Sequence, residues 1–182
     1  MRKRKIPDSK VLHECFAYDP ESPSFLRWKK RPREHFNTLR GMNTFNGTWP
    51  GKPAGSLSPE QNRYWLVGIK KRLFFVHRII FSMFNTLPDG YEVDHIDGNT
   101  FNNSIENLRS ATRLQNTKNS KKAKNTASGV KGVTRTSNGR YWCARITCNK
   151  VVYNIGCYET IEEASKAYEE KAKLFFGKFN RE

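Results

Sequence analysis

Between Val93 and Asn119 the chain reads VDHIDGNTFNNSIENLRSATRLQNTKN, with six Asn, two Asp, one His and no cysteine. Short amide and carboxylate side chains compete with regular backbone hydrogen bonding, so such a stretch cannot sustain one long helix or strand. It divides instead into small pieces. YEVDH (91–95) reads as a strand, Asp97-Gly98 opens a loop over the Asn cluster, and NLRSA (107–111) reads as a second strand. Thr112 followed by Gln115 forms a capping box, so a helix begins there with Asn116 in its first turn. Asn and Asp make turns, which gives one reading of the cluster as a plain loop. The other is a small metal site.

Composition bears on that choice. The 182 residues carry a formal net charge of +16, which implies a polyanionic partner, with nucleic acid first and an anionic membrane surface as competitor. No segment approaches the roughly 20 apolar residues of a membrane span. The start, MRKRKIPDSK, is basic without an apolar stretch behind it, so a soluble, cytoplasmic protein is expected. Cys15, Cys143, Cys148 and Cys157 form no C-x-x-C pair and are expected as reduced, small apolar side chains.

Two apolar runs around a basic tip, RYWLVGI and LFFVH, predict a hairpin within 63–77. HRIIFSMFN (77–85) then puts Ile79, Ile80, Met83 and Phe84 on one helical face. Upstream, FLRWKKRPR and the Gly/Pro-rich 46–60 read as irregular and β, with Lys29, Lys30 and Arg31 as DNA contacts. Residues 121–128 read as a linker. Beyond it, 130–136, 140–148 and 151–159 read as three strands joined at Asn138-Gly139 and Asn149-Lys150. A helix is expected from Thr160 to Phe176, capped by Thr160 and Glu163. Its apolar face holds Ile161, Ala164, Ala167, Tyr168, Ala172 and Phe175. Residues 128–158 hold five Lys/Arg and no acid, so one face of this sheet can pack on the helix while the other meets DNA.

In a strand–loop–strand–helix unit, Asp94 and Asn116 can both offer oxygens to one hard cation. Mg²⁺ suits so few protein ligands, with Mn²⁺ the alternative ion. His95 can take a proton from water near neutral pH, and Asn107 can accept the proton on its other ring nitrogen. The chemistry is metal-assisted phosphodiester hydrolysis with one divalent ion per site. Asp97, Asn99, Asn102 and Asn103 read as turn formers. Glu106 reads as a satisfier of loop amides and Asn119 as solvent-facing. His77 reads either as a helix-start or core histidine, or with Arg78 as a phosphate contact. His13 and His35 receive no role.

VDHIDGN, NNSIENLR and QNTKN together resemble the HNH endonuclease signature in its His–Asn–Asn form, found in phage and intron-encoded homing enzymes. The resemblance implies a ββα-metal fold with His95 as general base, Asn107 as the middle residue, and Asp94 and Asn116 as metal ligands. GVTR, GRYWCARI and NIGCYETIEEASKAY resemble the AP2/ERF DNA-binding domain, with a shorter first hairpin and fewer arginines than the plant form. That implies DNA contacts from Lys131, Arg135, Arg140, Tyr141 and Arg145. The expected architecture is α+β. A basic β-rich segment (1–60) precedes the nuclease core (61–120), and the linker leads to a three-stranded antiparallel sheet packed on one helix (129–182). The expected function is a phage-encoded, monomeric homing endonuclease on double-stranded DNA. The rivals are a DNA-binding regulator with an inactive nuclease core, and an RNA-binding protein.

Overall fold

The computed structural model describes residues 5–58, 63–113, 115–116, 128–148 and 151–177. The chain divides into two compact units, Met1–Thr112 and Arg113–Glu182. Among the described residues no helix is long and apolar enough to cross a membrane.

The first unit opens with two helices where irregular and β structure was expected. Helix α1 is Ser9–Cys15, and Leu12 and Cys15, spaced to share a helical face, are both fully buried. Strands β1 (Phe16–Tyr18) and β2 (Leu26–Trp28) pair antiparallel, Phe16 opposite Trp28. Helix α2, Leu39–Thr48, contains two glycines and buries no residue. Its propensity is poor, and two local features hold it. The Thr38 hydroxyl accepts from the Gly41 N–H at 3.1 Å, and the Phe45 ring packs on Trp28 and Phe36 with centroids 5.2 and 5.5 Å away.

The expected hairpin is present as β4 (Trp65–Ile69) and β5 (Arg72–Phe75), with β3 (Ser56–Leu57) on the outer side of β4. Helix α3, Val76–Phe84, follows β5 directly and buries Ile79, Ile80 and Met83 as expected, together with Val76, His77 and Phe81. Phe84 departs from that face and is 50% exposed. Strands β6 (Tyr91–His95) and β7 (Leu108–Thr112) pair antiparallel, with His95 opposite Leu108 and Asp94 opposite Arg109. Leu12, Phe16 and Leu26 share one core with Val67, Ile79, Ile80, Val93 and Leu108, so residues before 60 help to build the hairpin's support.

In the second unit, residues 113, 115 and 116 are helical, where the sequence placed a helix start. Strands β8 (Val133–Arg135), β9 (Trp142–Cys148) and β10 (Val151–Tyr158) form an antiparallel sheet in the order β10-β9-β8. Helix α4, Ile161–Phe176, packs on it through Ala164, Tyr168 and Ala172 against Val133, Ala144 and Ile146. Its expected Thr160–Glu163 capping box is formed. The Asn149-Lys150 turn and residues 121–127 of the expected linker lie outside the described residues.

Cys143 and Cys157 were expected reduced. They sit directly opposite each other on β9 and β10 and are joined by a disulfide. Cys15 and Cys148 stay free. The bond closes a loop with a sequence separation of 14. A loop of that size is worth about 3 kcal/mol by the chain-entropy account. Reduction with dithiothreitol should therefore lower the urea midpoint of this unit, and Cys143→Ser/Cys157→Ser should show the lower midpoint without reductant. Equal midpoints in all three samples would exclude a stabilising bond.

Candidate functional site

Strand β6 alternates poorly for a half-exposed strand, because Val93, Asp94 and His95 are all buried. Burying a carboxylate and an imidazole at a strand end is costly unless both are paired, and both are. Asp94 Oδ2 lies 2.9 Å from both Nε and Nη2 of Arg109, its cross-strand neighbour. His95 Nε2 lies 3.1 Å from Asn103 Oδ1. The Asn103 amide nitrogen faces the Ser24 carbonyl at 3.5 Å, which turns its oxygen toward the ring. An amide oxygen only accepts, so Nε2 carries the proton and Nδ1 is the basic nitrogen of the neutral imidazole.

The expected orienting residue was Asn107, and the structure gives that contact to Asn103 instead. Asn107 spends its amide on the loop. Its Nδ2 donates to Asp97 Oδ1 at 2.9 Å and to the Asn102 carbonyl at 2.8 Å, and its Oδ1 accepts from the Asp97 N–H at 3.0 Å. Asn107 thus closes the turn between β6 and β7. Asp97, Asn99 and Asn102 make Asx-type hydrogen bonds, as turn formers do. Asn103, expected among them, is 1% exposed and reaches the histidine. Its anchor lies 79 residues away, and the other brace of this loop lies 87 away, where the Tyr18 hydroxyl accepts from the Ile105 N–H at 3.2 Å. No local sequence signal announces either contact.

Electrostatics follow the burial. Burial lowers the pKa of His95, against the opposing effects of the Asn103 hydrogen bond and the Asp97 and Asp94 carboxylates. Neutral imidazole is therefore its resting form at neutral pH. Burial would raise Asp97, but hydrogen bonds from Asn102, the Asn99 N–H and Asn107 outweigh it and hold the carboxyl low. His77 is buried against Phe75, Tyr64 and His95, with its centroid 4.9 Å from that of His95. Burial, then the His95 and Arg78 charges, drives it well below the usual imidazole range. Its expected phosphate contact gives way to packing beside the His95 ring, while Arg78 is half-buried on α3.

Among the described residues no group of three or more His, Cys, Asp or Glu gathers as a metal cage. The oxygen donors expected from the sequence are Asp94 on β6 and Asn116, which is half-buried on the helical residues after β7. The Asp94 carboxylate is a donor of the kind a hard cation takes, and a cation that keeps most of its waters needs few protein ligands.

The expected DNA-contacting side chains are placed unequally. Lys29 donates to the His13 carbonyl at 2.7 Å. Arg31 lies over the Phe36 and Phe45 rings at 4.8 and 4.9 Å, so both serve the fold, while Lys30 is exposed. In the second unit Arg145 stands exposed on the sheet face opposite α4, with Thr134, Thr147 and Asn154. Arg140 and Tyr141 are exposed just before β9, and Lys131 is half-buried. Arg135 pairs with Trp142 on the other face, its guanidinium 5.4 Å from that ring.

Residues 74–118 match the family model described as HNH endonuclease, a span that contains His77, Asp94, His95, Asn107 and Asn116. The chain is similar to protein 3.8 of Escherichia phage T7, at 33% identity over 95 residues, covering 52% of this chain and 78% of that protein. It is also similar to the uncharacterized HNH endonuclease L560 of Acanthamoeba polyphaga mimivirus, at 37% identity over 106 residues. That alignment covers 57% of this chain and 54% of the mimiviral protein, so the chain spans about half of that relative. No solved structure matches the chain. With the buried histidine at the end of β6 inside the matched segment, residues 74–118 form an HNH endonuclease domain, and the chain around it is similar to these two viral proteins.

Proposed function

We propose that the chain is a phage-encoded homing endonuclease that hydrolyses phosphodiesters in double-stranded DNA, with His95 as the general base. The observation that carries this reading is the Nε2–Asn103 contact at 3.1 Å. It holds the ring in the tautomer whose Nδ1 can accept a proton from water. Burial keeps the ring neutral, so the base is in its working form at pH 7. Asp94 would hold one divalent ion, Mg²⁺ or Mn²⁺. Such an ion, when bound, stabilises the negative charge that develops on the phosphate and the leaving oxygen. Arg109 meanwhile fixes the Asp94 carboxylate through Oδ2.

The second unit is proposed as an AP2-like reader that lays the exposed Arg145 face of its sheet in a major groove, with Arg140 and Tyr141 just before β9. Such a module takes an asymmetric site, so the protein acts as a monomer in the host cytoplasm. The overall charge of +16 supports a nucleic-acid partner.

The test is supercoiled plasmid and phage or host DNA incubated with the protein and Mg²⁺, with and without EDTA. Relaxed or linear product that disappears with EDTA is the expected result, and the product form separates nicking from double-strand cutting. Sequence-specific binding without cleavage of any of these DNAs would replace the nuclease with the regulator.

A further inference from the structure

The β4–β5 hairpin ends in a two-residue turn, Lys70-Lys71, whose φ angles are 47° and 61°. A tight hairpin turn with both central residues in the left-handed region normally selects Asn-Gly, since Cβ-bearing side chains are disfavoured there. Here both places hold lysine, and Arg72 follows. All three side chains are exposed, and among the described residues none is in a salt bridge. From residue 61 to residue 88 the chain has five Lys/Arg and no acid.

The hairpin also points somewhere. On its outer face, Gly68 opposes Leu73 and Leu66 opposes Phe75. Leu73 is 58% exposed and Phe75 39%. The Phe75 ring meets Tyr64 at 5.3 Å and His77 at 5.5 Å, and His77 meets His95 at 4.9 Å. A continuous strip therefore runs from three cations, over an apolar floor, to the ring of the proposed base. Strand β5 supplies roughly 13 Å of it, about four nucleotide steps along a duplex, and the Phe75–His77–His95 ring contacts extend it further. Gly68, with no side chain, keeps the floor low beside Leu73.

We propose that Lys70, Lys71 and Arg72 form a clamp on the DNA backbone. It would grip phosphates at least about four nucleotides from the bond facing His95, with the sugar edge lying on Leu73 and Phe75. This rests on the nuclease reading. It goes further in assigning the hairpin the task of fixing where the substrate strand enters. Lysine occupies a turn better suited to Asn-Gly because the phosphate contacts need charge at the point where the hairpin ends. Backbone strain retained at a functional tip is a recurring pattern.

Three double variants test it. Lys70→Asn/Lys71→Gly removes both charges and relaxes the turn. Lys70→Gln/Lys71→Gln removes the charges and keeps side chains in the turn. Lys70→Arg/Lys71→Arg keeps the charges. Binding is measured in EDTA by anisotropy on a fluorescent duplex of about 30 base pairs, across a salt series, so that it does not depend on cleavage. The plasmid assay runs alongside.

The Asn-Gly variant should melt higher by roughly 5 °C. Both neutral variants should lose about 1.8 from the slope of log affinity against log salt, about 0.9 per phosphate contact. The parent's advantage over them should thus shrink about tenfold between about 50 and 200 mM salt. The Arg variant should match the parent. A parent-like slope in the Gln variant would overturn the clamp, whether or not the Asn-Gly variant changed. If the parent cut no DNA, the nuclease reading would fail while the salt slopes still decided whether the tip contacts the backbone.

Discussion

His95→Ala should lower the rate of Mg²⁺-dependent plasmid conversion by about 10²–10⁴-fold, the range a positioned general base supplies. DNA affinity should be unchanged. Its two asparagine neighbours in sequence should behave differently from it and from each other. Asn103 touches the ring and sets its tautomer, so Asn103→Ala should cost about 10–100-fold in rate, as orienting residues do, with affinity kept. Asn103→Asp should recover only part of that rate, because a carboxylate oxygen also accepts from Nε2 but cannot donate to the Ser24 carbonyl. Asn107 closes the loop through Asp97 and Asn102, so Asn107→Ala should lower the melting temperature together with the rate. Rate, anisotropy and thermal melts on the four proteins check the assignment. Full cleavage by His95→Ala would remove the base from this residue. A parent-like rate in Asn103→Ala would return Asn103 to a packing role.

The difference between the two asparagines also marks how far the sequence could be read. Local patterns were legible. VDHIDGN ended a strand at His95, the KKR tip marked the β4–β5 turn, and Thr160 with Glu163 capped α4. Each of those signals lies within a few residues. Along β9, Ala144 and Ile146 pack toward the helix and Arg145 stands away from it, as a period of two requires. The contacts that were not legible are long-range. Asn103 looks like any other turn asparagine until Ser24, far upstream, orients its amide. Lys29 and Arg31 look like free cations until a carbonyl and two aromatic rings occupy them. Cys143 and Cys157 carry no spacing motif, and only the β9–β10 register brings them opposite each other. Helices α1 and α2 were missed for a related reason. One is only seven residues long and is held by burying Leu12 and Cys15, and the other has two glycines and rests on its Thr38 cap and the Phe45 ring contacts rather than on propensity.

Arg109 is the remaining residue of the site that the sequence did not single out, and its removal should have the largest effect on stability. Arg109 and Asp94 face each other across β6 and β7, with side chains 12% and 6% exposed. Deleting one partner of a buried pair leaves a charge without its counterion and costs about 3–5 kcal/mol. Arg109→Ala should therefore lower the urea midpoint of the first unit steeply. Asp94→Asn/Arg109→Gln, which removes both charges, should recover most of the loss. That double variant should still fail to cut DNA, since the carboxylate proposed to hold the ion is gone. Mg²⁺ separates a structural pair from a metal site. If Asp94 takes a divalent ion, that ion can stand in for the missing guanidinium. Mg²⁺ at about a hundred times its dissociation constant should then return about 2.7 kcal/mol to Arg109→Ala, and none to the double variant. Equal melting of Arg109→Ala with Mg²⁺ and with EDTA would mean that Asp94 holds no ion, and the metal would have to be sought on other oxygens.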